Sequence, residues 1–143
     1  MMPDATDGPA WKSLAILAAR LIFAALFAMA ATFKVLDINA TAAYITANTG
    51  LPMPQVLAIL AAILEVALVV CFLTGAFFTE ACLVAAAYVI FLGFAFHGPS
   101  HWTANQSEFG FFVDHFTFLA GLLFAAAHGP GRWLTWRVGR TGE

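Results

Sequence analysis

The chain has 143 residues, of which 62% are hydrophobic and only 10% charged, with a net charge of −2. Soluble domains carry about 25% charged residues, so this composition points to lipid, and so few basic residues make no surface for nucleic acid. The length accommodates four apolar spans of about twenty residues, each roughly 30 Å long, with short connections and no separate soluble domain.

Residues 1–13 read as a cytoplasmic N-terminal tail, polar at first and carrying Asp4 and Asp7. The first apolar run extends from Leu14 to Phe33. Ala28-Met29-Ala30 resembles a signal-peptide cleavage site, but the run is longer than a secretory h-region and Arg20 interrupts it, so it reads as a span. Beyond Lys34 the chain turns mixed. Asp37 or Asn39 is placed to cap a short helix over Ala40 to Asn48, and Gly50 to end it. This helix is expected to lie at the membrane surface with Tyr44 as an interfacial aromatic. Pro52 and Pro54 then open the second span, from about Val56 to Leu73.

The break at Thr74-Gly75-Ala76 is tight and predicts that the third span, about Phe77 to Phe96, lies antiparallel beside the second. His97 to Ser107 is the most polar interior stretch. The fourth span, about Phe109 to Ala127, stops at His128-Gly129-Pro130-Gly131-Arg132. The expected fold is therefore an all-α membrane protein, a four-transmembrane-helix bundle over residues 14–136 with one interfacial helix between spans one and two. Residues 137–143 form a C-terminal tail. Lys12 precedes the first span and Arg132, Arg137 and Arg140 follow the last, which places both ends in the cytoplasm. Cys71 and Cys82 form no CxxC pair and read as small buried hydrophobes.

Charges at membrane depth cost free energy and need a partner or a task. Arg20, Lys34, Glu65, Asp114 and His115 are the candidates for an intramembrane polar site. Arg20 and Lys34, with Ala24, Phe27 and Ala31 between them, form one stripe of the first span, within roughly 40° of each other. That stripe is expected to face other helices. Ala58, Ala61, Ala62 and Glu65 share a face of the second span, where small residues permit close approach. Arg20 and Glu65 come out within about 5 Å in depth, and an Arg20–Glu65 ion pair is expected, either as a structural link or as a proton- or ligand-handling pair.

His97, His101 and Glu108 add polar groups in the outer loop region, and Asp114 suits the first turns of the fourth span. The Gly98-Pro99 step keeps His97 and His101 off one continuous helical face. These residues offer imidazole and carboxylate donors, but no fixed spacing of a known metal motif. A pocket for a small molecule or a quinone head group, and loop histidines that face water, are the other readings. Signatures of phosphate loops, dinucleotide folds, nucleophile elbows and haem attachment are missing, so no catalytic residue is assigned.

The ordered set Arg20-Leu21-Ile22-Phe23, Ala28 to Leu36 with Lys34, Gly50 to Pro54, Leu64-Glu65-Val66, Gly75, Phe109 to Leu123 and Gly129-Pro130-Gly131-Arg132-Trp133 resembles the DoxX family of small bacterial membrane proteins. The resemblance implies a four-helix membrane bundle in the bacterial inner membrane. It also implies a subunit or accessory role in a quinone-linked membrane oxidoreductase, with quinone as the cofactor to consider. Other subunits of a redox complex, or further copies of the chain, would be its partners besides lipid. Two departures stand out: Asp114-His115 replaces a basic–Asn pair common in relatives, and Glu80 stands near a position that often carries Arg. The competing readings are a non-catalytic scaffold or anchor for a partner protein and, less favoured for four helices without inverted repeats or broken helices, a small-molecule or proton carrier.

Overall fold

Without water as a partner, backbone N–H and C=O groups in lipid must satisfy one another, and each long apolar run accordingly becomes a helix. The computed structural model describes residues 8–136 and 138, which contain no strand. In chain order the helices are α1 (Ala10–Leu36), α2 (Ile38–Thr49), α3 (Pro54–Thr74), α4 (Phe78–His97) and α5 (Ser107–His128), with a short 3-10 turn at Pro99–His101. α1, α3, α4 and α5 are each long and apolar enough to cross a membrane. The spans run somewhat longer than hydropathy alone suggested. α1 begins at Ala10, so residues 10–13 belong to the first helix rather than to a tail. Residues 1–7, 137 and 139–143, assigned above to the tails, lie outside the described residues.

The caps follow local chemistry. Asp37 is the residue that caps α2, its Oδ1 accepting from the Ala40 amide at 2.9 Å. Gly50 and Gly75 end α2 and α3 in left-handed conformations, φ 65° and 74°, and their amides return to Thr46 and Cys71. Pro54 opens α3 at its first turn.

The helices form two antiparallel pairs, α1 with α3 and α4 with α5, and α2 lies chiefly on α3. α3 and α4 share a tight turn but approach each other closely over little of their length. The two are thus antiparallel neighbours as expected, close at the turn and spread apart beyond it. Aromatic rings fill the seam between the pairs: Phe23 and Phe27 of α1, Phe72 of α3 and Phe118 of α5 pack in stacked and tilted pairs with centroids 5.4 to 5.9 Å apart. Ala24, Ala81, Cys82, Ala85 and Ala86 pack among them, and Cys82 is the core hydrophobe expected.

Both described chain ends lie at one end of the bundle, here called the terminal end; α2 lies at the other. At the terminal end the segment after α5 folds back onto the α3–α4 turn. The Trp136 amide donates to the Thr74 carbonyl and the Phe77 amide to the Val138 carbonyl, each at 2.7 Å. Residues 129–136, with Val138, thus form a strap across the terminal end.

Candidate functional site

The gap left where α3 and α4 diverge is a cavity of about 690 Å³. α2 covers it from the membrane surface through Tyr44, whose ring stacks on Phe96 of α4 at 5.2 Å and 3°. Its walls are Ala30, Phe33 and Lys34 of α1, Leu57, Leu60, Ala61 and Leu64 of α3, and Tyr88, Phe91, Leu92 and Phe96 of α4, with His97 and His115 at one side. Leu60 and Phe91 flank the gap and are themselves 55% and 53% exposed on the bundle surface. The cavity therefore opens sideways, between α3 and α4, toward lipid.

Two residues of its wall, Lys34 and Tyr88, converge on Glu65, which is buried behind them. The Lys34 ammonium donates to Glu65 Oε1 at 2.8 Å and the Tyr88 hydroxyl donates to the same oxygen at 2.9 Å. Lys34 reaches back along its own helix, Nζ lying 3.5 Å from the Ala30 carbonyl, as long side chains on helices do. Glu65 is 1% exposed, and its second oxygen, Oε2, is buried without a hydrogen-bond partner among the described residues. An orphaned carboxylate oxygen in a dry interior is costly. A proton, a water or a ligand donor would relieve it.

The second polar group stands at the α2 end. His97 Nδ1 lies 2.5 Å from Glu108 Oε2, and the His97 and His115 rings are 5.2 Å apart. His115 Nδ1 lies 2.7 Å from the Phe111 carbonyl, which can only accept, so this nitrogen carries a proton and Nε2 is left to serve a neighbour. Gly93 makes room for that ring: a Cβ there would stand 3.1 Å from the His115 Cβ. Burial, and secondarily the Glu108 carboxylate, push the Tyr44 phenol above its ordinary ionisation range. Tyr44 thus stays a neutral hydroxyl at the cavity's roof.

The profile of the DoxX family matches residues 15–98, more than half of the chain and the whole of α2, α3 and α4 with most of α1. The chain belongs to the DoxX family. No curated protein and no solved structure matches it significantly. The Lys34–Glu65–Tyr88 group of this DoxX protein lies entirely within the matched region, whereas His115 and Asp114 lie beyond it.

Apart from Arg20, the sequence-predicted residues divide into three groups. Lys34 and Glu65 meet; His97 and His115 stand together at the side of the same cavity, and Glu108 pairs with His97. Asp114 is exposed on α5 and faces away from the cavity, and His101 sits half-buried on the 3-10 turn.

Arg20 does not pair with Glu65, and that expectation is corrected. Arg20 is fully buried, and its guanidinium is spent on the terminal end. Nε donates to the Phe72 carbonyl at 2.9 Å, and Nη2 to the Leu73 and Leu134 carbonyls at 2.9 and 2.7 Å. Nη1 donates to the Pro130 and Trp133 carbonyls at 3.2 and 2.8 Å and to Thr135 Oγ1 at 3.2 Å. The physical reason is depth. Arg20 is level with the last carbonyls of α3, which have no intrahelical donors. Glu65 lies seven residues farther along, roughly 10 Å. Arg20, Ala24, Phe27 and Ala31 are all buried, so the inward stripe of α1 holds even though its two cations have different partners.

Sequence reasoning missed Tyr88. Its only signal is a hydroxyl in the middle of an apolar span, and pairing it with Glu65 requires knowing how α3 and α4 are set against each other.

Proposed function

We propose that this DoxX protein is a subunit or accessory of a quinone-linked oxidoreductase of the bacterial inner membrane, and that its lateral cavity holds the head group of a lipophilic quinone. The observation that carries the reading is that Lys34 and Tyr88, both bonded to the buried Glu65, line a cavity that opens toward lipid. Pockets of 300–1,000 Å³ with apolar walls and a few convergent polar groups suit small ligands. A quinone has two carbonyl acceptors and an apolar tail. The chain supplies donors to match: the Lys34 ammonium, the ring nitrogens of His97 and His115, and the Tyr44 hydroxyl. Leu57, Leu60, Leu64 and Phe91 suit the tail.

A bound quinone would supply two-electron, two-proton redox chemistry. The chain's own contribution is to orient the head group, to exclude water behind α2, and to hold protons on Lys34, Tyr88 and the imidazoles. A buried ion pair gives little net stability relative to apolar packing, so the presence of Lys34 and Glu65 at this depth supports a task for them. The basic residues at the terminal end, Lys12 and Arg132 with Arg137 and Arg140 in the sequence, support an orientation with both termini in the cytoplasm.

The test is labelling in membranes with a photoreactive isoprenoid benzoquinone. The expected adducts fall on α3 and α4 around Leu60, Tyr88 and Phe91, are displaced by unmodified quinone, and drop at least tenfold in Lys34→Met and Tyr88→Phe. Labelling that free quinone fails to displace, or that both variants retain, refutes the assignment.

A further inference from the structure

The composition of α5 conflicts with its setting. Among the four spans it buries the smallest share of its surface, only Leu122 and Ala125 being fully buried, yet its mean hydropathy is also the lowest. The helix that shows most surface to hydrocarbon should be the most apolar, because each polar group carried into lipid costs free energy. Here the order is reversed: α3, the most apolar span, is buried to a larger extent.

Asp114 sharpens the conflict. It lies seven residues into α5, roughly 10 Å along the axis from Ser107, exposed. Among the described residues it has no hydrogen-bond or ion-pair partner. Aspartate is too short to reach the headgroups from there, as lysine and arginine do. Thr117, nearly one turn on, is exposed beside it, between the exposed apolar side chains of Val113, Phe116 and Phe124. An apolar border around one carboxylate is the pattern of a helix–helix contact in which a polar group is met from the other side.

We infer that the Asp114 face of α5 seats a different membrane subunit, one whose spanning helix carries a lysine or arginine at the same depth. Among the described residues, a second copy of this chain does not supply that charge. Two copies related by a twofold axis along the membrane normal set Asp114 level with the other copy's Asp114. The lysine nearest that depth, Lys34, is held by Glu65, while Lys12, Arg20 and Arg132 stand at the terminal end. The inference rests on the proposed role as a subunit and is independent of what fills the cavity.

The experiment places p-benzoylphenylalanine at Val113 or Ala120 of the full chain in its native membranes and irradiates them. The expected product is a heteromeric adduct whose partner carries Lys or Arg within one turn of the crosslinked depth in a spanning segment. Asp114→Lys should lower its yield at least tenfold, and replacing the partner's basic residue by Asp should restore it. Asp114→Asn should lower it without changing the thermal stability of the purified chain. An adduct of twice the chain's mass, adducts with lipid alone, or a heteromeric adduct indifferent to Asp114→Lys overturns the inference. The quinone label is applied to the same membranes: if it fails while the charge exchange still restores the adduct, the cavity reading falls and this one stands.

Discussion

Replacing Arg20 by Met should detach the strap from the bundle. The side chain makes six hydrogen bonds, five of them to main-chain carbonyls, and the one to Phe72 is fully buried. Methionine keeps most of the volume and none of the donors. Leaving the Phe72 carbonyl unpaired costs about 2 kcal/mol, and the five part-buried acceptors, which water reaches more easily, about 0.5 kcal/mol each, so the total is roughly 4–5 kcal/mol. The strap also contains Leu134 at φ 48°, a left-handed conformation costing about 1–2 kcal/mol without glycine, which the bond from Arg20 to its carbonyl helps to hold. Arg132 is exposed within this segment and is a tryptic site. If cleavage follows opening of the strap, a shift of about 4 kcal/mol raises the cleavage rate roughly a thousandfold. The assay is limited trypsinolysis of the purified protein in mild detergent, followed by mass spectrometry, alongside thermal unfolding. Arg20→Lys, which keeps the charge but not the planar fork, should fall between. Unchanged cleavage at Arg132 in Arg20→Met would refute the clamp, whatever the melting temperature did.

Three further outcomes are expected. Lys34→Met strands the Glu65 carboxylate and should destabilise the protein by about 3–5 kcal/mol, whereas Lys34→Met with Glu65→Leu should recover to within about 1 kcal/mol of the original; thermal unfolding in detergent reads both, and equal stability of all forms would dismiss the pair as buried and coupled. Gly75→Ala puts a Cβ at φ 74°, 3.0 Å from Thr135 Cγ2 and 3.3 Å from Arg20 Nη2; a loss of about 1–2 kcal/mol and faster trypsinolysis at Arg132 are expected, and wild-type resistance would contradict the close approach. The Tyr44 phenol is raised by burial and by Glu108, so its contribution is complete below the ordinary phenol range and is lost as pH climbs through the raised value. Alkaline titration followed by hydrogen exchange in α2 should show that loss, and Tyr44→Phe should remove it; an identical alkaline transition in the variant would place its origin elsewhere.

Much of the architecture is legible in the residues themselves. Apolar runs, the Asp37 cap, the Gly50 and Gly75 stops and Pro54 mark the helix bounds to within a few residues, because these signals act locally. The inward stripe of α1 is legible too, since it depends only on helical period. Pairings are another matter. Glu65 has two candidate cations on one face of α1, and the choice turns on where the helix ends fall and on what else wants a guanidinium. The carbonyls of Phe72 and Leu73, joined by those of a strap more than a hundred residues away, form a better match for its fork than one carboxylate does. No local pattern announces that competition. Helical geometry alone separates Asp114 from His115: consecutive helical residues point about 100° apart, so only one of them can face the cavity. Which one does depends on α4, where Gly93 receives the His115 ring.

The sideways opening between Leu60 and Phe91 changes what affinity means for this protein. A ligand that arrives through that gap comes from the bilayer, already stripped of water along its tail, and trades contact with acyl chains for contact with Leu and Phe side chains of similar character. Lengthening the tail strengthens entry into the membrane by about 0.8 kcal/mol per methylene, whether or not the protein is there. Discrimination among ligands at the gap must then come from the few atoms that meet Lys34 and Tyr88. For the quinone proposed above, the relevant dissociation constant would be a mole fraction in lipid, and ranking compounds by their aqueous potency would mostly rank their greasiness.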